Sequence, residues 1–120
     1  MNALQHNFAP RTLHAWLNAP HCTVPVTTSL MLGSVAVLPD IEATVTVYRE
    51  EDGSFGIGTI EIQGWRGKYA ASAEVEQDAS KTETLGGFLA DAVIRELDDP
   101  KTADRAEELL CAAEREWRRA

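Results

Sequence analysis

Cysteine is scarce in this chain, with only Cys22 and Cys111 among 120 residues. A disulfide between them is open to the chain, but nothing else marks a secreted scaffold, so both are expected reduced in a cytoplasmic protein. Long apolar runs are missing too. The longest, Leu30–Leu38, is interrupted by Gly33 and Ser34 and falls well short of the ~20 residues a membrane helix needs. No basic-then-apolar leader follows Met1, so no secretory signal is expected. Basic residues are the third shortage: 11 Lys and Arg stand against 19 Asp and Glu, a net charge of −8. Residues 1–39 hold Arg11 and no acid, so the deficit falls on residues 40–108. Such a field opposes contact with phosphate backbones or anionic membranes and favours a protein partner with a basic surface.

Reactive machinery is equally thin. His6, His14, His21 and Cys22 lie near one another in sequence, but their spacing matches no metal-ligand pattern, and no metal or cofactor is expected. There is no GxSxG elbow for a nucleophile, and Cys111 reads as a small half-buried hydrophobe. Asp98-Asp99 and Glu107-Glu108 are adjacent acids that point about 100° apart on a helix, so neither forms a carboxylate pair. Gly86-Gly87 lacks the rest of a phosphate-loop pattern. A non-enzymatic protein is the expectation.

What is present is an architecture. From Ile41, alternate apolar positions at Ala43, Val45 and Val47 spell a strand with one wet face. Asp52-Gly53 marks a hairpin. Phe55 and Ile57 lie on one parity and Ile60 and Ile62 on the other, which predicts a β-bulge at Gly58-Thr59. A turn at Gln63–Gly67 leads into a strand carrying Tyr69, Ala71, Ala73 and Val75. Before this meander, residues 1–9 read as a loose tail and residues 11–17 as a short helix. The run Leu30–Leu38 reads as a strand turning into Ile41. After it, Ser80 and Glu83 have capping-box spacing, and Leu85, Phe88, Leu89, Ala92, Val93 and Leu97 make a helical stripe. Asp98-Asp99-Pro100 breaks that helix. Thr102 then caps a second one, with Ala106, Leu109, Leu110, Ala113 and Trp117 on one face.

The expected fold is therefore α+β over residues 1–120 as one domain. An antiparallel three- to four-stranded meander sheet carries a short N-terminal helix and two C-terminal helices packed on one face. The order helix, meander, helix resembles that of the double-stranded-RNA-binding domain. That domain's basic phosphate contacts are missing here, so RNA binding is not implied.

Candidate contact residues follow from the same patterns. Trp65 and Arg66 sit together on a glycine-flanked turn, and both types are enriched among interface hot spots. Glu50, Glu51 and Asp52 form a negative hairpin tip able to meet a basic groove. Glu74 and Glu76 extend that acidity along the last strand. In composition the chain resembles phage-encoded anti-CRISPR and DNA-mimic inhibitors. What the resemblance implies is occupation of a partner's nucleic-acid-binding surface without chemistry. Pairing of two copies through sheet edges or the helical stripe ending at Trp117 is the alternative expectation.

Overall fold

A computed structural model describes residues 15–75 and 83–119. Four antiparallel strands, β1 (His21–Leu32), β2 (Val35–Arg49), β3 (Phe55–Arg66) and β4 (Tyr69–Val75), form one sheet in the order β1-β2-β3-β4. Helices α1 (Leu85–Leu97) and α2 (Pro100–Arg119) follow. The α+β class, the meander and the two C-terminal helices are as the sequence implies. No N-terminal α-helix is present among the described residues: a 3-10 turn, Ala15–Asn18, stands there instead. Pro20 cannot continue a helix past this turn, and positions 11–14 of the predicted helix lie outside the described residues. The order is thus turn, four strands, two helices, and the likeness to the double-stranded-RNA-binding domain does not hold. Residues 1–14 and the predicted cap Ser80 lie outside the described residues.

Alternation decides which side of the sheet is dry. Val24 and Val26 on β1 pair with Val45 and Ala43 on β2, which in turn pair with Ile60 and Ile62 on β3. Val24, Val45, Val47 and Ile60 are fully buried and cluster with Ala90 and Val93 of α1 and Ala106 of α2. Each such side chain contributes about 1.5–3 kcal/mol relative to exposure. The bulge lies where the parity break places it: Val47 opposes Ile57 and Val45 opposes Ile60, so Thr46 faces both Gly58 and Thr59. Their hydroxyls, Thr46 Oγ1 and Thr59 Oγ1, are hydrogen-bonded at 2.9 Å.

Leu30–Leu38 is not a single strand. It folds back on itself at Gly33-Ser34, with Leu32 opposite Val35 and Gly33 at φ 64. Glycine takes that left-handed conformation cheaply, and side chains that would have been buried become an exposed hairpin arm. Two one-residue insertions in β2 kink this arm, one at Pro39-Asp40, where Asp40 takes φ 53, and one at Val37. β3 likewise continues through Trp65 and Arg66, and the turn is Gly67-Lys68, with Gly67 at φ 62. A Gly-X pair suffices for a two-residue hairpin turn, so the predicted five-residue turn at Gln63–Gly67 is unnecessary.

The helix ends also differ. Thr84, not Ser80, caps α1: its Oγ1 accepts from the Gly87 amide at 3.0 Å. Asp99, not Thr102, starts α2. Its carboxylate accepts from the Lys101 amide at 3.2 Å and its carbonyl from that of Ala103 at 2.8 Å. Pro100 at the first helical position suits this, since its missing N–H would be unpaired there anyway. The buried face of α1 is Gly87, Ala90, Val93 and Leu97, rotated from the predicted stripe, and Leu85 and Phe88 point to solvent. Small residues at positions 87 and 90 let the helix backbone approach the sheet, where larger neighbours would hold it off. On α2, Ala106 and Leu110 are buried and Trp117 is half-exposed.

The opposite face of the sheet has no helix on it among the described residues. Trp16 lies there, stacked on Tyr48 at 6.2 Å between ring centroids and edge-on to His21 at 5.0 Å. Gly56 and Gly58 of β3 make room for these rings. A Cβ on Gly56 would come within 2.3 Å of the Tyr48 ring, and one on Gly58 within 2.5 Å of Trp16. Gly58→Ala should therefore cost about 1–3 kcal/mol as the ring is forced off the sheet. Urea unfolding followed by tryptophan emission reads both the lowered midpoint and the exposed indole. Unchanged stability and emission would show that Trp16 does not rest there.

Candidate functional site

The uncovered face is where the acidic residues collect. Strand alternation puts Glu42, Glu61 and Glu74 there, and Glu61 is directly opposite Glu74 in the β3–β4 ladder. All three are exposed. No strand residue on this face is Lys or Arg, so nothing within the sheet neutralises the pair. Trp65 shares the face and is 75% exposed. Arg66 does not: it pairs with Tyr69 on the helix side, so the structure separates the tryptophan and arginine that the sequence places together. Glu50 lies against Tyr48 near Gly56 on the open face. Burial, and then its hydrogen bond to Glu50, push the Tyr48 phenol up from its ordinary value. Asp52 holds the β2–β3 turn by accepting from the Ser54 hydroxyl and from the Ser54 amide at 2.9 Å, and these bonds, the hydroxyl's first, lower its carboxyl. Glu51 is exposed beside it, and Glu76 lies outside the described residues.

Above the acidic strip the sheet opens. The β2–β3 ladder ends at Ala43–Ile62, and beyond it the two hairpin arms diverge. Between them is a cleft of about 520 Å³, lined on one side by Leu38, Asp40 and Glu42 and on the other by Ile62, Trp65 and Ala70, with Leu89 of α1 also bordering it. Leu32 and Tyr69, near the arm tips, are 73% and 78% exposed. The exposed apolar groups Leu38 and Trp65, one on each wall of the cleft, mark a contact surface.

A second cluster, on the helix side, escaped the sequence reading. Arg49 ends β2 and grips α2: its Nη1 and Nη2 donate to the two oxygens of Glu107 at 2.9 and 2.6 Å. Its Nη2 and Nε donate to the carboxylate of Glu114 at 3.1 and 3.3 Å. Cys111 Sγ donates to Glu107 at 3.0 Å. Glu107 and Glu114 are seven residues apart, two helical turns, so one guanidinium reaches both. That spacing was legible; that a strand-end arginine would meet it was not.

Hydrogen bonding to Arg49, and secondarily to Cys111, draws the Glu107 carboxyl down from 4.5 to about 2. Hydrogen bonding to Glu107, more than burial, raises the Cys111 thiol, and burial raises that of Cys22. A raised thiol keeps its proton at neutral pH, the reverse of nucleophile activation. Among the described residues no group of three His, Cys, Asp or Glu could hold a metal, and His6 and His14 lie outside them. No described helix is long and apolar enough to cross a membrane. Compared with known proteins, the chain matches no family model, no curated protein and no solved structure. Its surface is therefore the source of any functional reading.

The Arg49 clasp has a pH signature. Glu107 is depressed in the folded state, so its contribution is complete above about 4.5 and is lost as pH falls through about 2. Glu107→Gln should lower stability by up to about 1 kcal/mol at pH 7, the upper range for a half-exposed ion pair. Urea midpoints of wild type and variant should converge between pH 4.5 and 2. A constant gap across that window would show the pairing to be energetically silent.

Proposed function

We propose that this protein is a small non-enzymatic binding module, an inhibitor or regulator that occupies a basic, nucleic-acid-binding surface of a partner protein, as DNA-mimic and anti-CRISPR inhibitors do. The observation that carries the reading is Glu61 directly opposite Glu74 on a sheet face with no Lys or Arg among its strand residues. Opposed like charges on neighbouring strands destabilise by a few tenths to about 1 kcal/mol. A partner's lysine or arginine placed between them removes that repulsion, so the face is better matched to a basic surface than to water. Glu42 widens the strip, and Glu50, Glu51 and Asp52 extend negative charge to the far end of the β2–β3 hairpin.

Charge alone supplies encounter rate and salt dependence more than affinity. Trp65 supplies the rest. It stands exposed beside the inter-arm cleft, next to Asp40 and Glu42, where its indole can be buried by a partner and stack on an incoming guanidinium.

The experiment separates the two contributions. Immobilised wild type, Glu61→Gln and Trp65→Ala proteins are used to capture partners from lysate at low and high salt. Each captured protein is identified by mass spectrometry and its affinity then measured directly. Glu61→Gln should gain up to about 1 kcal/mol of stability while binding more weakly and with a shallower salt dependence. Trp65→Ala should leave stability within about 0.5 kcal/mol and reduce affinity at least about tenfold. Salt-insensitive capture, or binding unchanged in both variants, overturns the reading.

A further inference from the structure

The sheet has two outer edges, and they are unequally defended. β1 carries Pro25 and is packed against by both helices, and proline and cover are both ways to stop an edge from pairing. β4 is less protected, and of the described helices only the start of α1 comes near it, at Val75. Its residues, Tyr69–Val75, include no proline and no lysine, and its register on β3 is unbroken. No described strand lies beyond it.

The turn geometry says which backbone groups are free. With Gly67-Lys68 as a two-residue turn, Arg66–Tyr69 is the closing hydrogen-bonded pair. Tyr69, Ala71, Ala73 and Val75 then direct their amides and carbonyls to β3. Those of Ala70, Ser72 and Glu74 point outward.

We propose that this edge pairs with the β4 edge of a second copy, antiparallel about a twofold axis at Ser72, so that one sheet runs through both molecules. Hydrogen bonding and charge select that register. Ser72 meets Ser72, and Ala70 meets Glu74, so every outward-facing position is used and each such pair exchanges two bonds. Glu74 is then four residues along from its symmetry mate, roughly 13 Å at the usual strand rise. That exceeds the ~8 Å screening length at physiological salt. Moving the axis to Ala73 would bring the two carboxylates to roughly 7 Å.

Side chains agree with the same register. Tyr69 comes opposite Val75 of the mate on the helix side, an aromatic–β-branched pair of the favourable kind. Val75 adjoins the start of α1, its Cγ1 being 3.9 Å from where a Cβ on Gly86 would lie. Leu85, 59% exposed, is at that helix end. The contact removes exposed Tyr69 and Leu85 from water together. It depends on the strand edge alone, so its success or failure is independent of partner binding through Glu61 and Trp65.

Two measurements test it. Ala71 opposes Ala73 of the mate as a closely spaced pair, with Cβ atoms about 4.5 Å apart, within disulfide reach. Ala71→Cys and Ala73→Cys chains, each in a Cys22→Ser/Cys111→Ser background, are oxidised separately and as a mixture. The mixture should give a covalent dimer containing one chain of each kind, and neither chain alone should give one. Separately, wild type should sediment as a dimer. Ser72→Pro, which removes an outward N–H without touching the β3 ladder, should sediment as a monomer with an unchanged circular dichroism spectrum. A wild-type monomer throughout the concentration series overturns the proposal. So does a dimer indifferent to Ser72→Pro, or cross-linking that is equal in the separate and mixed samples.

Discussion

One additional residue in β3 holds this fold together. Between Val47 and Val45 on β2 there is only Thr46, but between Ile57 and Ile60 on β3 there are Gly58 and Thr59. Side chains alternate with a period of two, so a regular β3 would turn either Phe55 and Ile57 or Ile60 and Ile62 toward water. The bulge lets Ile57, Ile60 and Ile62 share one face, and that face is what α1 and α2 cover. The same local kink leaves a glycine where Trp16 can lie flat against the sheet. Core and aromatic cap thus depend on one irregularity.

The bulge also sorts the surface. Once the isoleucines face the helices, Glu61 must face away, and the ladder sets it against Glu74. The open face becomes acidic as a geometric consequence of the closed face being apolar. At the other end of the sheet, the loss of β2–β3 pairing past Ala43–Ile62 frees two hairpin arms, with Trp65 beside the cleft between them. Arg49 works on the helix side, tying the end of β2 to two turns of α2 through Glu107 and Glu114. A charged clasp near the surface adds little energy, but it fixes how α2 lies along the sheet.

Much of this was legible from pattern. The alternation of Ile41–Val47, the Asp52-Gly53 hairpin, the parity break at Gly58-Thr59 and the helix break at Asp98–Pro100 are local signals, and each appears where its residues imply. The first hairpin was missed because the apolar residues on both sides of Gly33-Ser34 read together as one buried strand, although Gly33-Ser34 is itself a two-residue turn signal. The stripe of α1 was misplaced because hydrophobicity was weighed and size was not. Leu85 and Phe88 outrank Gly87 and Ala90 on any apolar scale, yet the small pair is what fits against a sheet. Of the candidate site, Trp65, Glu74 and the Glu50–Asp52 tip are exposed as their polarity and turn context imply. Arg66 was read as sharing a turn with Trp65, but β3 runs on through both, and alternation puts neighbouring strand residues on opposite faces.

The sequence alone determined which segments are strands and helices in the C-terminal two-thirds of the chain, and that the protein is strongly acidic. Periodicity and charge are properties of neighbours along the chain, and they need no third dimension. Only the tertiary structure decided that Glu61 meets Glu74, that Arg49 meets Glu107 and Glu114, and that both helices pack chiefly on β1. Those facts depend on the register of one strand against another and on which edge the helices cover. Both are settled by long-range packing, which no local pattern records.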